Sequence, residues 1–171
     1  MSQLLDNILS RSNMLDAYNQ VRANKGSAGI DGITIDEIDD YLRKHWHSTK
    51  ELINQRKYRP QPVLRVEIPK PNGGVRQLGI PTVMDRMIQQ AIVQVISPIC
   101  EPYFSEKSYG FRPNRSCEQA VIQLLEYLND GYEWIVDIDL EKFFDTVPQD
   151  RLMSLVHNII QDGDTESLIR K

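Results

Sequence analysis

Val136-Asp137-Ile138-Asp139-Leu140-Glu141-Lys142-Phe143-Phe144-Asp145 is the run on which the fold of this 171-residue chain turns. It continues from Tyr132, and alternation over 132–140 predicts a strand. Trp134, Val136, Ile138 and Leu140 then face one way, and Ile135, Asp137 and Asp139 the other. Carboxylates two positions apart on a strand lie roughly 7 Å from each other. At an effective dielectric near 20 they repel by about 2–3 kcal/mol. A folded protein tolerates that where both stay wet, where a cation sits between them, or where a metal is the purpose. Magnesium suits such oxygens. An exposed strand face neutralised by Lys142 or an arginine is the alternative, and the two carboxylates alone do not choose.

Working back from that run, Ser116 caps a helix through Leu128 whose inward side is Cys117, Ala120, Val121, Leu124, Leu125 and Leu128, and Asn129-Asp130-Gly131 ends it. Ser108 to Arg115 reads as an ordered loop. Before it, Thr82 caps a helix with apolar pairs every four residues, from Val83-Met84 to Val95-Ile96, disturbed at Pro98 and Pro102. Residues 63–80 read as a β-hairpin, since Pro71-Asn72-Gly73-Gly74 is turn chemistry between two alternating runs. Lys70 and Arg76 fall near its tip. Helix is expected over 2–24, with a new N-cap at Ser12-Asn13, and again from about Thr34 to Asp36, with Ile38, Leu42 and Trp46 on one face. A glycine-rich loop, Lys25 to Gly32, separates them. Downstream, a helix is expected over 148–160, and a last one around Leu168 and Ile169 is expected to lack a packing partner. The fold class is therefore α+β.

Net charge is −4, yet its distribution is uneven. Residues 43–115 carry net +8 and residues 116–171 net −8. A basic middle beside an acidic end suits a phosphate-binding surface next to a metal site; two solvated faces of opposite sign are the bland alternative. Arg56, Lys57, Arg59 and Arg65 are candidates for diffuse RNA-phosphate contact. Arg112 and Arg115, flanking a Pro-Asn turn, can either grip a template backbone or brace acidic side chains. Cys100 and Cys117 have no metal-ligand spacing. The start, Met1-Ser2-Gln3-Leu4-Leu5-Asp6, lacks a signal peptide's basic and apolar regions, and no apolar run approaches the roughly 18 residues of a membrane span. The chain reads as cytoplasmic, with no membrane partner.

The run Asp139-Leu140-Glu141-Lys142-Phe143-Phe144-Asp145 resembles the first catalytic motif of reverse transcriptases, in the form found in group II intron enzymes. Three further blocks are similar to the same family. They are Asn24-Lys25-Gly26 through Gly29-Ile30-Asp31-Gly32; Ile68 to Arg76 with Leu78, Ile80-Pro81, Asp85-Arg86 and Gln89-Gln90; and Ser108-Tyr109-Gly110-Phe111-Arg112-Pro113-Asn114-Arg115-Ser116. The resemblance implies a right-hand polymerase: an N-terminal extension over 1–35, fingers over 36–115, and the start of a palm over 116–171. By the motif match Asp139 is the catalytic metal ligand, the Leu140 carbonyl joins the shell, and Phe144 is the ring that excludes a ribose 2′-hydroxyl. Lys70 and Arg76 are then the nucleotide-binding cations of the hairpin.

In activity, the resemblance implies an RNA-directed DNA polymerase that uses two Mg²⁺ ions, deoxynucleoside triphosphates, an RNA template and a DNA primer. It would also act as a maturase, binding its group II intron RNA and helping it splice. An RNA-binding maturase module without a polymerase role, or a diversity-generating or CRISPR-associated sister enzyme, is the alternative. The family's second motif, Tyr-X-Asp-Asp, occurs nowhere in the 171 residues, nor does the Pro-Gln-Gly block before it. The palm is thus expected to be incomplete, its motif strand left with an open edge that promotes self-association as a homodimer or an edge artefact.

Overall fold

Ser2 starts the first helix, its hydroxyl accepting the Leu5 amide at 3.3 Å. The computed structural model describes residues 2–140 and 143–171; Glu141 and Lys142 of the motif run, and the side chain of Asp145, lie outside what is described. Helix α1 spans Gln3–Ile8 and α2 spans Arg11–Ala23. The break falls at Ser10, whose side chain accepts from the Asn13 amide, rather than at Ser12-Asn13. Asn13 is used differently: its side-chain amide donates to the Ile8 and Ala91 carbonyls at 2.8 and 3.0 Å, tying the break to a distant helix. Helix α3 spans Ile38–Asn54. It starts later than expected because Glu37 folds back on the Thr34 amide and hydroxyl, closing a turn first.

Strands β1 (Leu64–Pro69) and β2 (Val75–Ile80) form the expected antiparallel hairpin, with Ile68 opposite Arg76. Gly73 and Gly74 both sit at φ +82, a left-handed backbone that residues with a Cβ rarely adopt, so the turn favours glycine there although the space around it is open. Helix α4 spans Val83–Cys100 and runs through Pro98 into a single 3₁₀ turn, Glu101–Tyr103. It is the centre of the molecule. Its Met84, Met87, Ile88 and Ala91 pack with Leu5, Ile8, Ala17 and Ile53 in one core, and Val83 joins Val21 and Ile38 beside it.

Helix α5 (Cys117–Asn129) starts with a capping box in which Ser116 and Gln119 each take the other's backbone amide. The short α6 (Phe143–Thr146), α7 (Gln149–Ile160) and α8 (Gly163–Ile169) complete the chain. Leu168 of α8 is buried in the main core with Leu5 and Ile53, so this helix does have a packing partner, contrary to the expectation from sequence.

Two further expectations are corrected. Residues 132–140 form no strand; the only sheet among the described residues is the hairpin. Alternation creates a face, but a strand exists only when a neighbour accepts its backbone hydrogen bonds. The apolar side of the run is open as well: Trp134 is 92% exposed and Val136 81%. The inward side predicted for α5 is likewise open, with Val121, Leu124, Leu125 and Leu128 all exposed.

Candidate functional site

The hairpin tip carries the clearest candidates. Its turn is closed by the Lys70 amide donating to the Gly74 carbonyl at 3.0 Å and the Gly73 amide donating to the Lys70 carbonyl at 3.1 Å. Lys70 and Arg76 therefore stand on a projecting ribbon, both exposed and without an ion-pair partner among the described residues. A guanidinium can take two phosphate oxygens at once, and an ammonium adds a point charge. Lys57, Arg59 and Arg65, near the hairpin's incoming leg, are exposed and equally free of ion pairs among the described residues.

Arg56 is not free. It lies just past α3 at φ +58, and its Nε and Nη2 reach Asp164 Oδ1 at 2.7 and 2.6 Å. Arg112 adopts the bracing role of the two left open by the sequence. Its guanidinium donates twice to Glu101 Oε1, at 3.0 and 2.7 Å, and once to the Ser108 carbonyl at 3.0 Å, and its side chain is 8% exposed. Arg115 lies over the Tyr109 ring at 5.5 Å and donates to the Glu106 carbonyl. Both arginines thus hold the loop before α5.

Asp137, Asp139 and Leu140 lie exposed outside any strand. Phe144 is 91% exposed in α6, edge-on to Phe143 at 5.7 Å. Among the described residues, no three His, Cys, Asp or Glu side chains come together in a way that could hold a metal. A two-metal phosphoryl-transfer site needs ions roughly 4 Å apart clamped by several carboxylates. Asp139 with the Leu140 carbonyl is too small a donor set, so these residues alone do not fit the pair of ions that the motif implies.

Two networks escaped the reading from sequence. Asp85, 3% exposed, accepts from the Tyr58 hydroxyl, from Thr82 Oγ1 at 2.6 Å and from the Gln61 amide at 3.2 Å. Burial, then the bond to Asp85, pushes the Tyr58 hydroxyl pKa far up. The local signal was Thr82-x-x-Asp85 at the helix start. The second network docks α8: Asp162 caps it at Thr165 and accepts from the Ser2 hydroxyl at 2.8 Å, and the Ser2 amide donates to Asp164 at 3.0 Å. Nothing local in sequence announces a contact between residues 2 and 164.

This docking has a pH consequence. The Arg56 guanidinium beside Asp164 holds its carboxyl below the usual range. Burial raises Asp162, but the Ser2 hydroxyl and Thr165 amide outweigh it, and the net direction is also down. Groups with depressed folded pKa values stabilise fully above the unfolded value, near 3.9, and lose that contribution as pH falls through the folded one. The protection of amides over 163–169, relative to their intrinsic exchange rates, should therefore fall selectively below about pH 4. Asp164→Asn should show the weakened protection already at neutral pH; unchanged protection in that variant would discount the Arg56 tie.

The class of protein follows from the hairpin, the motif run and their order: the chain belongs to the reverse transcriptase (RNA-dependent DNA polymerase) family, whose sequence model matches residues 68–170. That span includes Lys70, Arg76 and Asp139. Its relatives include intron-encoded proteins and maturases. It is 36% identical over 161 residues to a putative COX1/OXI3 intron 2 protein of Saccharomyces cerevisiae, covering 92% of this chain and 18% of that protein. It is 35% identical over 156 residues to the group II intron-encoded protein LtrA of Lactococcus lactis subsp. cremoris, covering 91% and 26%. It is 30% identical over 89 residues to nuclear intron maturase 1, mitochondrial, of Arabidopsis thaliana, covering 52% and 12%. The chain thus spans about a fifth to a quarter of the length of the yeast and lactococcal proteins.

Proposed function

We propose that these residues supply the fingers and the first catalytic aspartate of an RNA-directed DNA polymerase of the group II intron type, whose protein also binds its intron RNA as a splicing maturase. The observation that carries this reading is the exposed hairpin with Lys70 and Arg76 at its tip, lying with Asp139 inside the span that matches the family. In that role residues 1–35 are the N-terminal extension, 36–115 the fingers, and 116–171 the start of the palm. Lys70 and Arg76 meet the triphosphate of the incoming deoxynucleotide, and Phe144 guards its sugar. Lys57, Arg59 and Arg65 meet RNA phosphate, while Arg56 is held by Asp164, and Arg112 and Arg115 shape the loop that borders the template. The Mg²⁺ shell would take Asp139 and the Leu140 carbonyl from this chain and its remaining carboxylates from a Tyr-X-Asp-Asp motif.

Primer extension tests the division of labour. With poly(rA)/oligo(dT), dTTP and Mg²⁺, the 171-residue chain by itself should add no nucleotide at any protein concentration, because its donor set holds no metal pair. Templated extension by this chain alone would refute the assignment. A maturase module without polymerase chemistry is the second reading, and the likeness to nuclear intron maturase 1 favours it; it predicts RNA binding without extension even when a Tyr-X-Asp-Asp palm is joined to the chain.

Self-association belongs to the same proposal. Trp134, Ile135, Val136, Ile138 and Leu140 are all more than 60% exposed. An exposed segment that carries five large apolar residues and has no strand partner among the described residues recruits other chains. Sedimentation at micromolar concentration should show species heavier than the 19.8 kDa monomer, and Val136→Lys with Ile138→Lys should return the monomer. A monomer throughout would count against the open segment as an association surface.

A further inference from the structure

The hairpin raises a mechanical question: what fixes its angle. Every residue of β1 and β2 is exposed except Ile80, which is half-buried. Burial of its faces therefore does not hold it against the helices. Both legs, however, end on one buried side chain. The incoming leg gives the Gln61 amide to Asp85 Oδ2 at 3.2 Å, and the outgoing leg gives Thr82 Oγ1 to the same oxygen at 2.6 Å. Tyr58, just before the incoming leg and 9% exposed, bonds the other carboxylate oxygen. Pro60, Pro62 and Pro81 stiffen the same short connections.

The glycine-rich loop reinforces the outgoing foot. A Cβ on Gly29 would stand 2.6 Å from Thr82 Cα and 2.7 Å from its nitrogen, so the loop backbone lies directly on the foot. Arg86 Nη2 donates to the Ser27 carbonyl at 2.6 Å and holds the loop there. Only glycine permits that approach.

We propose that the Asp85 carboxylate is the positioning group of the hairpin: by tying both feet to one buried point, backed by Gly29, it sets the direction in which Lys70 and Arg76 project. That this direction aims them at a triphosphate rests on the function proposed above; the tie itself does not. Removing the carboxylate outright would unsettle the start of α4 as well, since Thr82 caps that helix and Asp85 accepts from the Thr82 hydroxyl. Variants that keep Asp85 separate the straps: Gln61→Pro deletes the amide donor and leaves the α4 cap in place, Thr82→Val deletes the hydroxyl strap together with the cap, and Thr82→Ser keeps both.

Spin labels at Asn72→Cys on the tip and Lys44→Cys on α3, with Cys100 and Cys117 replaced by alanine, report the angle as a distance distribution. The parent should give one narrow distribution. Gln61→Pro and Thr82→Val should lose it to a broad one, and Thr82→Ser should restore it. Met153→Ala, which opens a gap in α7 away from the feet, should destabilise the chain without broadening. Narrow distributions in both foot variants, or equal broadening in Met153→Ala, would overturn the proposal. No nucleotide or RNA enters the measurement, so a failed polymerase assay would leave this result standing, and a failed distance test would leave the functional assignment standing.

Discussion

RNA affinity of this chain should fall roughly 10² to 10³-fold between 50 and 200 mM salt. The basic middle, residues 43–115, carries net +8 despite the overall −4. If it neutralises about 4–6 phosphates, log K falls against log salt with a slope near −3 to −5, because each contact releases condensed counterions. The structure narrows which cations contribute. Lys57, Arg59 and Arg65 are exposed, whereas Arg56 is committed to Asp164 and Arg112 to Glu101. Lys57→Glu with Arg59→Glu should flatten the slope. Arg112→Ala should instead loosen the loop before α5 and leave the slope nearly unchanged. Filter binding or fluorescence anisotropy over a salt series measures both, and a salt-independent affinity would reduce the basic region to a solvated face.

The parts of the fold that sequence disclosed are those whose causes are local. Pro71-Asn72-Gly73-Gly74 closes the hairpin through backbone angles that its own residues permit. Thr82 and Ser116 cap their helices with bonds reaching three residues ahead. Residues 132–140 show the limit of such reading: the alternation is real, yet a strand needs a partner, and none lies beside it among the described residues. The inward side assigned to α5 fails for the same reason, since periodicity names a face and not what covers it. The tie from Ser2 and Arg56 to Asp164 joins residues more than a hundred positions apart, and no pattern at either end encodes it. Of the candidate site, the residue types and the hairpin placement were legible. That Arg56 and Arg112 are spent on carboxylates depends on tertiary packing and was not.

Within the motif run the two aspartates are not equivalent. Asp137 and Asp139 share the same local chemistry and the same exposure, so neither charge nor burial separates them. The separation comes from position: Asp139 stands five residues before Phe144, the spacing of the motif that the chain resembles. A carboxylate that belongs to a metal clamp is worth several kcal/mol of transition-state stabilisation, a rate loss on the order of 10³ or more when removed. A neighbour that only contributes to the local field costs far less. The decisive measurement is primer extension by a chain in which residues 1–171 are joined to a palm bearing Tyr-X-Asp-Asp, with Mg²⁺, poly(rA)/oligo(dT) and dTTP. Asp139→Ala should abolish extension while Asp137→Ala keeps a measurable rate; extension that survives Asp139→Ala but is lost in Asp137→Ala would contradict the assignment.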